Sequence, residues 1–280
     1  MLIGAEELAA RLEEPGLVVV DCRHVLADPG AGERAWREAR IPGARFAHLD
    51  RDLSDLSRQG HGRHPLPAAE RLAAFLAGLG IGKETEVVTY DADAGAWAGR
   101  LWWMLRALGL PAPRMLDGGL AAWLAAGLPL ERGPPRPPRP VPTWRASYAA
   151  GAAIAAEELA AGLERGRLLL IDARAPERFR GEREPVDPVA GHVPGARNRP
   201  YAENLEGGRF KEPARLRAEF LALIGERDPA TVVHMCGSGV TACHNLFAME
   251  LAGLSGSRLY ADSWSGWISD PSRPVARGPE

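Results

Sequence analysis

Thr231 to Leu251 reads TVVHMCGSGVTACHNLFAMEL. Thr231-Val232-Val233 is a β-branched run that predicts a short buried strand. From Leu246 to Leu251, LFAMEL is good helix material apart from one aromatic. Between them lies Cys236-Gly237-Ser238-Gly239-Val240-Thr241-Ala242. A cysteine that leaves a buried strand and enters a two-glycine loop opening onto a helix is placed for chemistry. The glycines let the backbone curl round the sulfur, and the helix N-terminus supplies unpaired N–H groups and partial positive charge. Both favour the thiolate, which is the nucleophilic form. The competing reading is a small buried cysteine in a tight strand–helix turn.

Composition narrows the setting. At 280 residues, the length suggests about two domains. Hydrophobic residues make up 46% and charged residues 25%, an ordinary globular balance. A net charge of −2 gives no electrostatic case for nucleic acid or an anionic membrane surface. The opening MLIGAEELAARLEE carries Glu6, Glu7 and Arg11, which is unlike a secretory leader. No run approaches the roughly 20 apolar residues that span a bilayer. Three widely spread cysteines form no disulfide framework, so a reducing, cytoplasmic setting is expected.

Strands and helices alternate through the first half. Residues 5–14 form an amphipathic pattern, Leu17–Asp21 a buried strand, and Ile41-Pro42-Gly43-Ala44-Arg45 a turn. Residues 50–67 are charged, end in His64-Pro65-Leu66-Pro67, and predict a loop. Helices follow over 68–79 and 97–108, a strand over 86–90, and a last strand over 115–117 before Gly118-Gly119 and a helix over 120–126. Such alternation points to an α/β fold with a mainly parallel sheet flanked by helices. Gly133 to Pro142 then holds six prolines in ten residues, which suits neither a helix nor a central strand. A semi-rigid proline linker over 132–143 would divide domains at 1–131 and 144–280.

The second half repeats the first. Leu168–Arg174 answers Val18–Arg23, Gly191–Arg197 answers Ala39–Arg45, and Thr231–Met235 answers Glu86–Tyr90. Leu259-Tyr-Ala-Asp262 answers Leu116-Asp-Gly-Gly119. Two units of this size indicate a duplicated α/β domain. Strand-to-strand alignment sets Cys236 opposite Asp91, and the loop 237–242 opposite 92–97. Only the second copy carries the nucleophile.

On these features the chain resembles the rhodanese family of two-domain sulfurtransferases over essentially its whole length. The tandem repeat, Asp21 and Asp172-Ala173-Arg174, both Pro-Gly-Ala turns, Tyr90-Asp91 with Leu101–Met104, the Cys236 loop, and Tyr260 with Ser263-Trp264 and Trp267 carry the match. In its Gly-Ser-Gly-Val form the loop looks like the 3-mercaptopyruvate branch, whereas thiosulfate-preferring relatives carry a cation just after the cysteine. The resemblance implies two tandem rhodanese-like domains, no cofactor and no metal. It implies a ping-pong reaction in which a small anionic donor, 3-mercaptopyruvate or thiosulfate, passes sulfur to Cys236 as a persulfide. A thiol, a thioredoxin-like one included, or cyanide then removes it. Gly237, Ser238, Gly239, Val240, Thr241 and Ala242 would cradle the persulfide anion with their N–H groups. Ser238 and Thr241 add hydroxyls, Ser238 being a candidate proton relay and Thr241 equally a helix cap. Arg178, in Glu177-Arg178-Phe179-Arg180-Gly181, matches the family's donor-binding arginine, and its planar fork suits a carboxylate or sulfonate. Trp97 of the first domain matches an aromatic wall of the pocket, or packs in the core.

Two positions depart from the mercaptopyruvate branch. Val186 follows Glu184-Pro185 where a second arginine is expected, and Arg40 stands where the relay histidine is expected before the first Pro-Gly-Ala turn. His192, at the equivalent place of the second copy, reads as a structural turn residue. Three rival readings have a chemical basis. A Cys-x5-Arg phosphatase loop needs an arginine where this chain has Ala242. A metal site from His234, Cys236, Cys243 and His244 lacks paired ligand spacing. A persulfide carrier that does not turn over would use the same loop.

Overall fold

The computed structural model describes residues 1–279. It resolves into two compact units that each hold one parallel sheet. The first comprises Met1–Asp55 and Leu66–Ala149; the second comprises Leu56–Pro65 and the chain from Ala150 onward. This division differs from the expected 1–131 and 144–280 at both ends. The segment Leu56–Pro65 belongs with the second unit although it lies in the first half of the sequence. The proline stretch belongs with the first: Arg45 donates to the Arg136 carbonyl at 2.8 Å, and the Val141 N–H to the Ala77 carbonyl at 3.0 Å. Prolines lack N–H groups but keep their carbonyls, so the stretch can lie extended along a folded surface without joining a sheet.

The first unit runs β1 (Leu2–Ile3), α1 (Ala5–Arg11), β2 (Leu17–Asp21), α2 (Ala31–Glu38), β3 (Ala39–Arg40), β4 (Arg45–Phe46), α3 (Ala69–Gly78), β5 (Glu86–Tyr90), α4 (Ala98–Ala107), β6 (Arg114–Leu116), α5 (Gly119–Ala125) and β7 (Glu131–Arg132). Its sheet order is β1-β6-β5-β2-β4. All four pairings are parallel, with Leu17–Asp21 in register against Glu86–Tyr90. β3 and β7 pair antiparallel outside it. Helix α2 falls in a stretch that reads as polar and Gly-rich. Its single large apolar residue, Trp36, is buried and donates its indole N–H to the Ala44 carbonyl, while Glu33 and Arg37 pair across one turn. One anchor and one ion pair are too little periodicity to show in sequence.

The second unit runs α6 (Ala156–Glu164), β8 (Leu169–Asp172), α7 (Pro176–Phe179), β9 (Arg197–Asn198), β10 (Leu205–Glu206), β11 (Arg209–Phe210), α8 (Pro213–Ile224), β12 (Val232–Met235), α9 (Ala242–Leu251), β13 (Arg258–Leu259) and α10 (Ser263–Trp267). Its sheet order is β13-β12-β8-β9, again all parallel, and β10 with β11 forms a separate hairpin. Central strands β8 and β12 are buried at every residue. Burial pushes the His234 imidazole of β12 down to about 3, so the ring is neutral, and its Nε2 meets the Met249 sulfur at 3.1 Å. The core of this unit gathers Leu159, Phe179, Val233, Tyr260, Trp264 and Trp267. No helix among the described residues is long and apolar enough to cross a membrane.

The strand-ending aspartates of the repeat are structural. Asp172 binds Arg174 at 2.7 Å, both buried, and Asp21 binds Arg23 at 2.7 Å. Arg174 also donates to the Gly191 carbonyl and lies over the Trp264 ring at 4.6 Å, locking the end of β8 to α10.

In the first unit the loop after β5 is filled from within. The buried Asp91 carboxylate accepts the N–H groups of Asp93 (2.8 Å), Gly95 (2.9 Å), Trp97 (2.8 Å) and Ala98 (2.8 Å). Two of those donors sit at the start of α4, where helical N–H groups have no partner of their own. Asp91→Ala would leave two buried and two partly buried donors unpaired and should destabilise this unit by about 3 kcal/mol. In urea unfolding the midpoint of its transition should fall with an unchanged slope; an unmoved midpoint would show that water satisfies the loop.

Candidate active site

Cys236 follows the last residue of β12 and is 2% exposed. Its backbone is gripped by the start of α10. The Cys236 N–H donates to Ser263 Oγ (3.0 Å), Trp264 N–H donates to the Cys236 carbonyl (3.0 Å), and Ser265 N–H to the Gly237 carbonyl (2.9 Å). Ser263 adopts a left-handed backbone, φ +52°, and its hydroxyl donates to the Tyr260 carbonyl at 2.9 Å. A non-glycine residue in this region is strained and persists only where its surroundings hold it. In the first unit Leu120 N–H donates to the Asp91 carbonyl, and Gly119 has φ +56°. Ser263 therefore stands opposite Gly119, one residue out of step with the alignment read from sequence, and Cys236 stands opposite Asp91 as that alignment had it.

The two loop glycines have different reasons. Gly239 has φ +76°, and a Cβ there would lie 2.1 Å from the Ala261 carbonyl oxygen, so no side chain fits. Gly237 has no such backbone. A Cβ on it would instead meet Arg63 Nη2 at 2.9 Å and both Arg178 Nη atoms at 3.6 Å. Its missing side chain makes room beside the cysteine for two guanidinium groups.

Helix α9 begins at Ala242, a turn earlier than LFAMEL suggests. Ala242 to Met249 are all buried, so the helix has no polar face to mark its start. Thr241 stands at the N-cap without a side-chain capping bond. Among the described residues, the N–H groups of Gly237, Ser238, Val240, Thr241 and Ala242 have no acceptor. Three of these positions, Ser238, Val240 and Ala242, have first-unit counterparts, Asp93, Gly95 and Trp97, whose N–H groups converge on Asp91. The same loop architecture thus holds a built-in anion in one copy and none in the other.

The Ser238 hydroxyl is 2.7 Å from His64 Nδ1, and both residues are buried. His64 comes from the segment Leu56–Pro65, which reads from sequence as a charged loop. Its neighbours pin that segment: His61 Nδ1 meets the Asp262 carboxylate at 3.0 Å, Arg63 N–H donates to Ser265 Oγ at 3.0 Å, and a Cβ on Gly62 would lie 2.2 Å from the Asp262 carbonyl oxygen. A histidine is thus present beside Ser238, whereas Arg40, the position where the resemblance looks for one, is committed elsewhere. It is buried, pairs with Glu131 at 2.6 Å and donates to the Gly133 carbonyl. The segment has no counterpart in the second half, so the internal repeat carries no signal for His64; the dipeptide His64-Pro65 is the only mark.

Arg178 lies on the short helix α7, started by Pro176. Its Nε and Nη2 bind Glu184 at 3.1 and 2.8 Å, and Nη2 also meets Asp187 at 3.0 Å. Nη1 has no hydrogen bond to the described residues. Burial works to raise the Glu184 carboxyl, but Arg178 and the N–H groups of Asp187 and Val186 hold it below the usual carboxylate range. Burial pushes the Asp187 carboxyl up despite Arg63 and Arg178 beside it. Trp97, in the first unit, stands at the N-cap of α4, half-buried, with its indole N–H on Asp93 at 2.6 Å and its ring edge-on to His24 at 4.8 Å. His192 is stacked on Phe179 at 3.9 Å and bonds the Phe179 carbonyl, a turn-holding role. Of the metal-site candidates, Cys243 directs its thiol to the Gly239 carbonyl and His244 stacks on Phe210. No group of three His, Cys, Asp or Glu side chains among the described residues is arranged to hold a metal ion.

Known proteins share this architecture. The profile of the Rhodanese-like domain matches residues 4–126 and again 155–270. A Pseudomonas aeruginosa protein named "Probable 3-mercaptopyruvate sulfurtransferase" is 51% identical over 282 residues, covering 99% of this chain and 98% of that one. A Mycobacterium tuberculosis protein provisionally named thiosulfate sulfurtransferase SseB is 41% identical over 281 residues, covering 99% and 97%. Among solved structures, 3-mercaptopyruvate sulfurtransferase from Leishmania major matches with a TM-score of 0.83 at 32% identity, covering 95% of this chain and 73% of that one. With two copies of the fold and a cysteine loop in only one of them, the chain belongs to the rhodanese family as a two-domain sulfurtransferase.

Proposed function

We propose that Cys236 is the sulfur-carrying nucleophile and that 3-mercaptopyruvate is the donor. The observation that carries this reading is the hydrogen bond between Ser238 and His64 beside an N–H cradle without an acceptor. The cysteine sulfur attacks the donor's thiol sulfur. An S–S bond forms, the C–S bond breaks, and its electron pair leaves on carbon as the enolate of pyruvate. That enolate needs a proton, which the Ser238 hydroxyl is placed to deliver and His64 to replenish. The persulfide anion left on Cys236 is then held by the loop N–H groups of residues 237–242. A thiol or cyanide attacks the outer sulfur, and the electrons of the S–S bond return to Cys236. A thioredoxin-type dithiol meets that requirement, and so does a small thiol.

Thiosulfate makes a different demand. Its S–S bond breaks to leave sulfite, a stable anion that needs no proton. A hydroxyl–histidine pair at the nucleophile is thus of use for mercaptopyruvate and superfluous for thiosulfate. Arg178 binds the donor's carboxylate. A reducing, cytoplasmic setting suits three free cysteines.

Four measurements test this. Cys236→Ser should abolish sulfur release from either donor; activity above background would sink the mechanism. Cys22 is buried, and burial with Asp21 and Asp91 nearby pushes its thiol well above the ordinary range; Cys22→Ser should leave turnover intact. His64→Gln should lower kcat with mercaptopyruvate by about 10²-fold or more, the usual contribution of a positioned proton carrier, and change the thiosulfate rate only a few-fold. Equal losses with both donors would return His64 to a purely structural role. Repeated release of sulfide separates an enzyme from a carrier, which would transfer a single equivalent.

A further inference from the structure

The site contains more positive charge than the sequence reading assigns to it. Arg178 is the cation expected there, and Val186 occupies the place where a second arginine is looked for. Yet Arg63, from the segment Leu56–Pro65, brings Nη2 to 2.9 Å from the Cβ position of Gly237, closer than either Arg178 nitrogen at 3.6 Å. Two guanidinium groups therefore converge on the face of Gly237 next to Cys236, taking up the room that a side chain there would need. Arg63 is fixed there from both sides, by the Gly62 contact with Asp262, by its own N–H on Ser265, and by His64 on Ser238. Its Nη1 pairs with Asp187, the carboxylate that also meets Arg178. Its Nε is buried and has no hydrogen-bond partner.

We infer that Arg63 is the second donor-binding cation and the specificity-determining residue of the site, its Nη2 and the Arg178 Nη1 forming a two-arginine clamp for a planar carboxylate beside Gly237. This rests on the proposed reading of Cys236 as the sulfur carrier. Asp187 is the positioning residue that links the two forks. With Glu184 and Asp187 opposing Arg63 and Arg178, the clamp carries little net charge, so it selects by geometry. One N–H donor from each guanidinium group matches the two oxygens of a carboxylate better than a bare halide or a neutral thiol. Because the clamp touches only the donor, it contributes to loading of the cysteine and not to its discharge.

The test is a steady-state comparison of wild type, Arg63→Gln, Arg63→Lys and Asp187→Asn on the full-length protein, with thermal unfolding run on each. Arg63→Gln should raise the KM for mercaptopyruvate by about 10- to 100-fold, the loss of one charged hydrogen-bonding group, with kcat within about 3-fold. Arg63→Lys should recover part of that loss, since it restores charge without the fork. Asp187→Asn weakens the link between the two guanidinium groups while leaving both in place, and should raise KM by less than Arg63→Gln does. Protein loaded with donor, freed of it and mixed with cyanide should discharge at the wild-type rate in every variant. An unchanged KM in Arg63→Gln while wild type turns over would overturn the assignment of Arg63 and leave the role of Cys236 standing. A KM rise in Asp187→Asn matching that of Arg63→Gln would make Arg63 part of the scaffold. Absence of turnover in wild type would instead overturn the reading on which the inference rests.

Discussion

A helix that starts directly after a tight loop presents N–H groups that its own turns cannot satisfy. Each unit of this chain meets that constraint at the end of its central strand. The first meets it with Asp91, whose carboxylate accepts four N–H groups. The second has Cys236 at the same point, and among the described residues the N–H groups of Gly237, Ser238, Val240, Thr241 and Ala242 have no acceptor. A short acidic side chain reaches back into its own loop; a thiol is one atom too poor in acceptors to do so. Exchanging one for the other turns a self-sealed turn into an open one whose N–H groups are left without an internal acceptor.

Holding such a loop open takes support from outside it. Ser263 supplies it from α10 in a left-handed conformation, and the carbonyl oxygen of Ala261 lies where any side chain on Gly239 would have to go. Arg174 ties α10 back to β8 through Trp264 and Asp172. The unfavourable features of the site, an unpaired cradle and a strained serine, are thus carried by a strand end and a helix that are buried and cross-linked by charge. Dynamics follow from this arrangement: the loop is surrounded by fixed elements, so the donor meets preformed geometry.

Much of this was legible in the residues. Buried strands Leu17–Asp21 and Glu86–Tyr90 announced themselves by β-branched runs, and the repeat made Asp91 the counterpart of Cys236 before any coordinates. What escaped did so for physical reasons. Helix α9 is buried all round through Met249, so it has no amphipathic period, and His244 and Asn245 look like surface residues although both are buried and hydrogen-bonded. Helix α2 hangs on a single tryptophan. His64 and Arg63 sit in an irregular segment where neither period nor repeat applies, and only the fold shows that they meet the cysteine loop. No arginine follows Glu184-Pro185; the second cation beside Gly237 comes instead from far upstream.

That upstream origin has a consequence for how the protein can be divided. The compact unit that contains Cys236 draws Leu56–Pro65 out of the other half of the chain, which continues into α3 on returning. A fragment beginning after the proline stretch would carry the thiol, its cradle and Arg178, but neither His64 nor Arg63. The duplication therefore cannot be undone by cutting between its copies. The copy without a nucleophile is the one that encodes the partner of Ser238, and inheritance of the reaction passes through both halves of the gene.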